Sequence, residues 1–162
     1  MNELPPWLKY ATVWALLAVS LFLGVQAWQD RQRATRFVVA GGVLEIARAG
    51  DGHYHWPGRL DGRPVEFLVD TGATRTAIPQ RLAQQLGLQV VGSQRSSTAG
   101  GVVTGTVVVG DLELDGGVRA ERLRMVALPD LAAPLLGMDV LGRLRWTQDR
   151  GRLRIELQGG PR

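Results

Sequence analysis

Phe67-Leu68-Val69-Asp70-Thr71-Gly72-Ala73 is the stretch that decides how this chain reads. An apolar strand runs straight into a carboxylate, a hydroxyl and a glycine. Alone, an Asp-x-Gly triplet is a turn, because Asp and Gly tolerate the backbone angles a turn demands. Asp51-Gly52, Asp61-Gly62 and Asp115-Gly116 read as turns of that kind. At Asp70 the surroundings differ. The preceding strand is long and apolar, and the chain continues from Ala73 through Ile78 without a run of solvent-seeking residues.

Two further elements follow in order. The first is a glycine-rich stretch, Ser97-Thr98-Ala99-Gly100-Gly101-Val102, placed as a hairpin. The second is Leu135-Leu136-Gly137, two apolar residues and a glycine, leading into Met138-Asp139-Val140-Leu141. Around them the chain alternates short apolar runs with turn signals. Phe37 to Ala40, Val43 to Ile46, His53 to Trp56, Val65 to Val69, Val102-Val103, Thr106 to Val109, Val118 to Leu128 and Arg152 to Leu157 read as strands. Pro79 to Leu86 reads as a short helix, with proline in its first turn and Gly87 closing it. Asp139 to Leu144 reads as a second. The pattern is a mostly β domain.

With this order of elements the chain resembles the retropepsin-like aspartic proteases, over roughly residues 50–157. The resemblance implies a retropepsin-like closed β-barrel or sandwich with one or two short helices. It implies that Asp70 is the catalytic carboxylate and that Thr71, Gly72 and Ala73 support the active loop. It makes Thr98, Ala99, Gly100, Gly101 and Val102 a flap over the substrate, and Leu135, Leu136 and Gly137 structural support beneath the site. One Asp-Thr-Gly per chain implies a homodimer in which each subunit gives one aspartate to a water-activating pair. No cofactor and no metal is implied; the substrate would be a protein or peptide. The sequence departs from many retroviral members where acidic residues follow the active loop and arginine follows the later glycine. Here those places hold Thr74, Arg75 and Met138. A catalytically silent membrane-anchored dimerisation or peptide-binding module of the same fold is the alternative reading.

Ahead of this domain, Ala11 to Ala27 is uninterrupted by charge, and Trp7, Tyr10 and Trp28 stand at its edges. The expected organisation is a tail over 1–9, a transmembrane anchor over 10–28, a juxtamembrane linker over 29–36 and the protease domain over 37–162. A cleaved signal segment competes with the anchor, since Val25-Gln26-Ala27 resembles a small-x-small cleavage site. Arg31, Arg33 and Arg36 after the span favour a cytoplasmic domain. The resemblance to single-span bacterial members instead implies the inner membrane with the domain in the periplasm.

Composition narrows the remaining classes. The 162 residues carry a net charge of +4 and no cysteine. Disulfides, thiolate nucleophiles and cysteine-ligated zinc are therefore excluded. The arginines are scattered through the strands without a nucleic-acid-binding motif, so a solvated basic surface is expected and no nucleic-acid partner. His53 and His55 alternate as if on one strand face, but no third ligand accompanies them.

Overall fold

The computed structural model of the chain describes residues 6–34, 37–40, 42–98 and 101–157. Two compact units divide it, Met1–Arg36 and Phe37–Arg162.

The first unit is a single helix, α1 (Pro6–Ala34). Its Ala- and Leu-rich sequence favours helix. Trp14, Leu17, Leu21 and Val25 are exposed, and so are Leu16, Val19, Phe22 and Leu23 around the cylinder. The helix thus has no polar face along this run. The expected transmembrane span is not met among the described residues, where no helix is long and apolar enough to cross a membrane.

The second unit is built from two sheets. The smaller has the order β1-β2-β11-β10, all antiparallel, from β1 (Phe37–Ala40), β2 (Val43–Ala47), β11 (Arg152–Glu156) and β10 (Arg145–Asp149). Alternation sets its inner face: Leu44, Ile46, Leu153 and Ile155 are buried while the residues between them are not. On the other face Glu45 lies opposite Arg154 and takes 2.6 Å and 3.1 Å contacts from Arg154 and Arg152. Hydrogen bonds from these two guanidinium groups hold the Glu45 carboxyl below its ordinary 4.5.

The larger sheet runs β3-β4-β9-β5-β8-β7-β6 and closes on itself, because β3 (His55–Leu60) pairs with both β4 (Arg63–Val69) and β7 (Gly101–Leu114). The other members are β5 (Ala77–Pro79), β6 (Gln89–Thr98), β8 (Val118–Leu128) and β9 (Leu135–Leu136). Closure requires close contact at Gly58, which pairs with Leu114; a Cβ there would lie 2.5 Å from the Glu113 carbonyl oxygen. The fold class read from the sequence is met in this barrel. Trp56, Leu60, Phe67, Ile78, Met125, Leu136 and Leu141 fill it and are almost wholly buried. The Trp56 indole N–H donates to the Asp115 carbonyl at 2.9 Å, so its burial leaves no donor unpaired.

Several boundaries differ from the sequence reading. Pro79 ends β5 instead of entering the helix, and α2 is Gln80–Leu86, closed by Gly87 at φ 65°. The helix after Gly137, α3, is the single turn Met138–Leu141. The two expected strands at 102–103 and 106–109 are one strand, β7, because Gly105 joins them. A Cβ at Gly105 would meet Val126 and Leu128 side chains at 2.5 and 2.8 Å, so only glycine lets β8 lie this close. The strand β6 has no apolar alternation to announce it. It is made by pairing with β7. His53 precedes β3, so it and His55 are not alternate residues of one strand.

Two measurements check this account. Gly58→Ala is expected to lose about 1–3 kcal/mol of stability by overpacking the barrel seam, read as a lower urea midpoint. The Glu45 contribution is fully present above pH 4.5 and is lost as pH falls through the depressed folded-state value, since the unfolded chain then binds the proton more tightly. Glu45→Gln is therefore expected to flatten the fall in thermal midpoint between neutral pH and pH 3.

Candidate active site

The site forms where β4 ends. Its last residues pair in parallel with β9, Leu68 with Leu135 and Val69 with Leu136, and β9 also pairs with β5 through Ala77. The ladder continues one residue past the strand: the Asp70 N–H donates to the Leu136 carbonyl at 3.0 Å. The Asp70 backbone is thereby fixed to the barrel while its side chain, half-buried, stands at the rim. Asp70 Oδ1 accepts the Gly72 N–H at 2.9 Å, and the Ala73 N–H donates to the Asp70 carbonyl at 3.3 Å. The loop folds over its own carboxylate. No hydrogen bond reaches the second carboxylate oxygen among the described residues, so it is available to water or substrate.

A second loop braces the first. The Met138 N–H donates to the Ala73 carbonyl at 2.8 Å. Gly137 packs on the backbone of Arg75 and Thr76; a Cβ there would lie 2.7 Å from the Arg75 oxygen and the Thr76 nitrogen. This is close approach, since the Gly137 φ of −92° is open to any residue. Thr76 is the buried polar residue of the core, with no exposed surface. Its N–H donates to both oxygens of Asp139 at 2.9 and 3.0 Å, and its hydroxyl donates to Asp139 Oδ1 at 2.8 Å. The same hydroxyl accepts the Gly137 N–H at 3.2 Å, and the Val140 N–H donates to Asp139 Oδ1 at 3.0 Å. A carboxylate accepting several donors forms strong, directional bonds. The Thr76–Asp139 pair therefore locks the loop of residues 70–76 to α3.

The sequence-based site residues are only partly brought together by direct contact. Asp70, Thr71, Gly72 and Ala73 form one loop, and Leu135, Leu136 and Gly137 lie directly against it. The flap elements form a hairpin, with Thr98 opposite Gly101 and Val102 exposed at 63%. Ala99 and Gly100 lie outside the described residues. Thr76 and Asp139 were not singled out from the sequence. The available signal was a threonine beginning the otherwise apolar run Thr76-Ala77-Ile78, and an acid two residues after the glycine.

Beside the site, the Tyr54 carbonyl accepts the Val69 N–H at 2.9 Å. The next residue, His55, has Nδ1 2.7 Å from Glu66 and Nε2 2.7 Å from Asp51. The His53 backbone N–H, and behind it the His55 ring, hold the Asp51 carboxyl below its ordinary 3.8 against the opposing push of desolvation.

A family model described as "gag-polyprotein putative aspartyl protease" matches residues 56–143, a stretch that contains both loops and both locking residues. The chain belongs to this family. A retropepsin-like aspartic protease from Rickettsia conorii, known from its crystal structure, superposes on this aspartyl protease-family chain with a TM-score of 0.57. The two are 26% identical, over 70% of this chain and 90% of that one. An uncharacterized Rickettsia prowazekii protein, RP867, is 28% identical over 114 residues, or 64% of this chain and 46% of its own length. The Gag-Pol polyprotein of gibbon ape leukemia virus is 34% identical over 89 residues, covering 53% of this chain and 5% of the polyprotein. The chain spans about half the length of the first curated relative and a small part of the second.

Thr76→Val keeps the shape but removes the hydroxyl. Asp139 then loses a donor and the Gly137 N–H loses its acceptor. A loss of about 1–3 kcal/mol is expected from the buried groups left unpaired, measured by chemical denaturation.

Proposed function

We propose that this chain is one half of a homodimeric aspartic endopeptidase, with Asp70 as its catalytic carboxylate. The observation that carries the reading is the placement of Asp70: backbone tied into the barrel, one carboxylate oxygen held by the loop, the other open. That is the preorganisation a general acid–base group needs.

A single such carboxylate performs half the chemistry. Two copies related by a two-fold axis bring two Asp70 side chains together, and an isologous contact lets one residue serve both roles. Like charges held that close do not both ionise, so the pair holds one proton. The ionised carboxylate takes a proton from water as the water oxygen attacks the scissile carbonyl carbon. The protonated one donates to the carbonyl oxygen. Collapse of the tetrahedral species breaks the C–N bond, and the amine leaves with a proton returned by the pair.

In this reading Thr71 supports the paired loops at the axis. Gly72 and Ala73 keep the substrate backbone close by having little or no side chain. Leu135, Leu136 and Gly137 hold the loop from beneath. The hairpin ending in Thr98, Ala99, Gly100, Gly101 and Val102 closes over an extended peptide, adding backbone hydrogen bonds along its length.

The apolar, all-round exposed surface of α1 supports membrane association of the N-terminal segment, since a contiguous exposed apolar surface calls for cover. A bacterial inner-membrane location with the protease domain in the periplasm completes the proposal. The protein substrate is then one that is exposed at the same membrane face.

Asp70→Asn tests the reading. It keeps the side-chain volume and the contact from Gly72 but removes the ionisable group. Cleavage of a diverse peptide pool by the wild-type chain and a loss of at least about 1,000-fold in Asp70→Asn are expected, from the loss of general acid–base action together with the shared proton. Equal cleavage by the two would sink the assignment.

A further inference from the structure

We infer that Arg75 makes the cleft selective for acidic residues flanking the scissile bond; this rests on the protease reading of the same site. Two neighbouring side chains of the loop, Arg75 and Thr76, differ in burial. Thr76 points into the core, where Asp139 and Gly137 hold it with no exposed surface. Arg75, one residue earlier, is exposed, as are Thr71, Gly72 and Thr74 on the same loop. The Arg75 backbone is not free to turn it elsewhere, because Gly137 packs directly on its carbonyl group.

Among the described residues Arg75 makes no ion pair, a state it shares with Arg59, Arg81 and Arg143, but of these it alone lies on the Asp70 loop. The nearest acid in the bracing loop, Asp139, is occupied by Thr76 and Val140. The loop of residues 70–76 holds one other charged group, Asp70 itself. An arginine fixed at the backbone, exposed, and lacking a carboxylate presents a planar fork of donors suited to a carboxylate ligand.

Its reach is bounded by the chain. Arg75 lies five positions after Asp70, so their Cα atoms are at most about 17 Å apart, which an extended substrate covers in about five residues. The selected acid therefore lies within about five residues of the bond cut. In a two-fold dimer each subunit supplies one Arg75, so the preference falls on both sides of that bond.

The experiment uses full-length chain in detergent and peptides that differ in a single flanking residue, Glu, Gln or Lys. Cleavage is measured with wild type, and binding with Asp70→Asn, so that a failure to cut is separated from a failure to discriminate. Wild type is expected to prefer Glu to Gln by about fivefold in kcat/KM, the upper range for a solvent-accessible ion pair. Raising the salt should shrink that ratio. Arg75→Gln should abolish the preference and Arg75→Glu should invert it toward Lys. The same order is expected in binding to Asp70→Asn, and the inversion in Asp70→Asn carrying Arg75→Glu. Equal use and equal binding of the three peptides by the unsubstituted loop, or a Glu preference that survives Arg75→Glu, would overturn the inference. Absence of cleavage together with a Glu preference in binding would remove the protease reading, and with it the cleavage-site selectivity, and leave Arg75 as an acid-selective peptide-binding residue.

Discussion

The Thr76–Asp139 hydrogen bonds are the constraint on which the site depends. Asp70 sits on a loop at the barrel rim, where its own strand gives one anchor, the N–H to Leu136. A loop with one anchor would not hold a carboxylate in a fixed place. Beside the Met138 N–H on the Ala73 carbonyl, the further anchor is the Asp139 carboxylate, which takes the backbone N–H and the hydroxyl of Thr76 and so draws residues 70–76 onto the Gly137 turn. The contact is possible because Gly137 has no Cβ to keep the two backbones apart. Burial strengthens the arrangement. A hydroxyl and a carboxylate partly out of water are costly to leave unpaired and are here paired with each other and with nearby N–H groups.

This constraint links the core to the chemistry. Leu136 and Leu141 are buried on either side of the Gly137 turn, so the turn itself is rigid. Packing of the barrel is thereby transmitted to the Asp70 loop through two short β pairings and one carboxylate. The β6–β7 hairpin is built differently. Its strands hold each other by a long antiparallel ladder from Gln89–Val109 to Thr98–Gly101, yet its end carries the exposed Val102 and makes little core. In the proposed protease, a fixed base and a lightly packed arm would suit admitting and then enclosing a peptide.

Much of this was legible in the sequence, and the rest was hidden for physical reasons. The Asp70 loop could be read because a long apolar strand ending in Asp-Thr-Gly is unusual for a plain turn. The strands with clean alternation, such as Val43–Ala47 and Arg152–Glu156, could be read from burial periodicity. The β6 strand could not. Its polar residues gain their conformation from pairing with β7, a tertiary effect that local propensity does not record. The division of β7 at Gly105 was misleading for a related reason, since that glycine serves a close approach by β8 and breaks nothing. The Thr76–Asp139 lock was hidden because its partners lie far apart in sequence and each residue alone has an ordinary explanation. The apolar N-terminal run correctly announced a helix, while a membrane crossing is not met among the described residues.

The central claim is that two Asp70 side chains, one from each subunit, form a single catalytic pair. Mixing subunits tests it most directly. Full-length wild-type and Asp70→Asn chains, unfolded together and refolded at equal amounts, would be compared with the same total of wild type. Random pairing of interdependent halves predicts about one quarter of the wild-type activity, because only the pairs of two wild-type chains are competent. About one half would contradict the claim, since each wild-type chain would then be working alone.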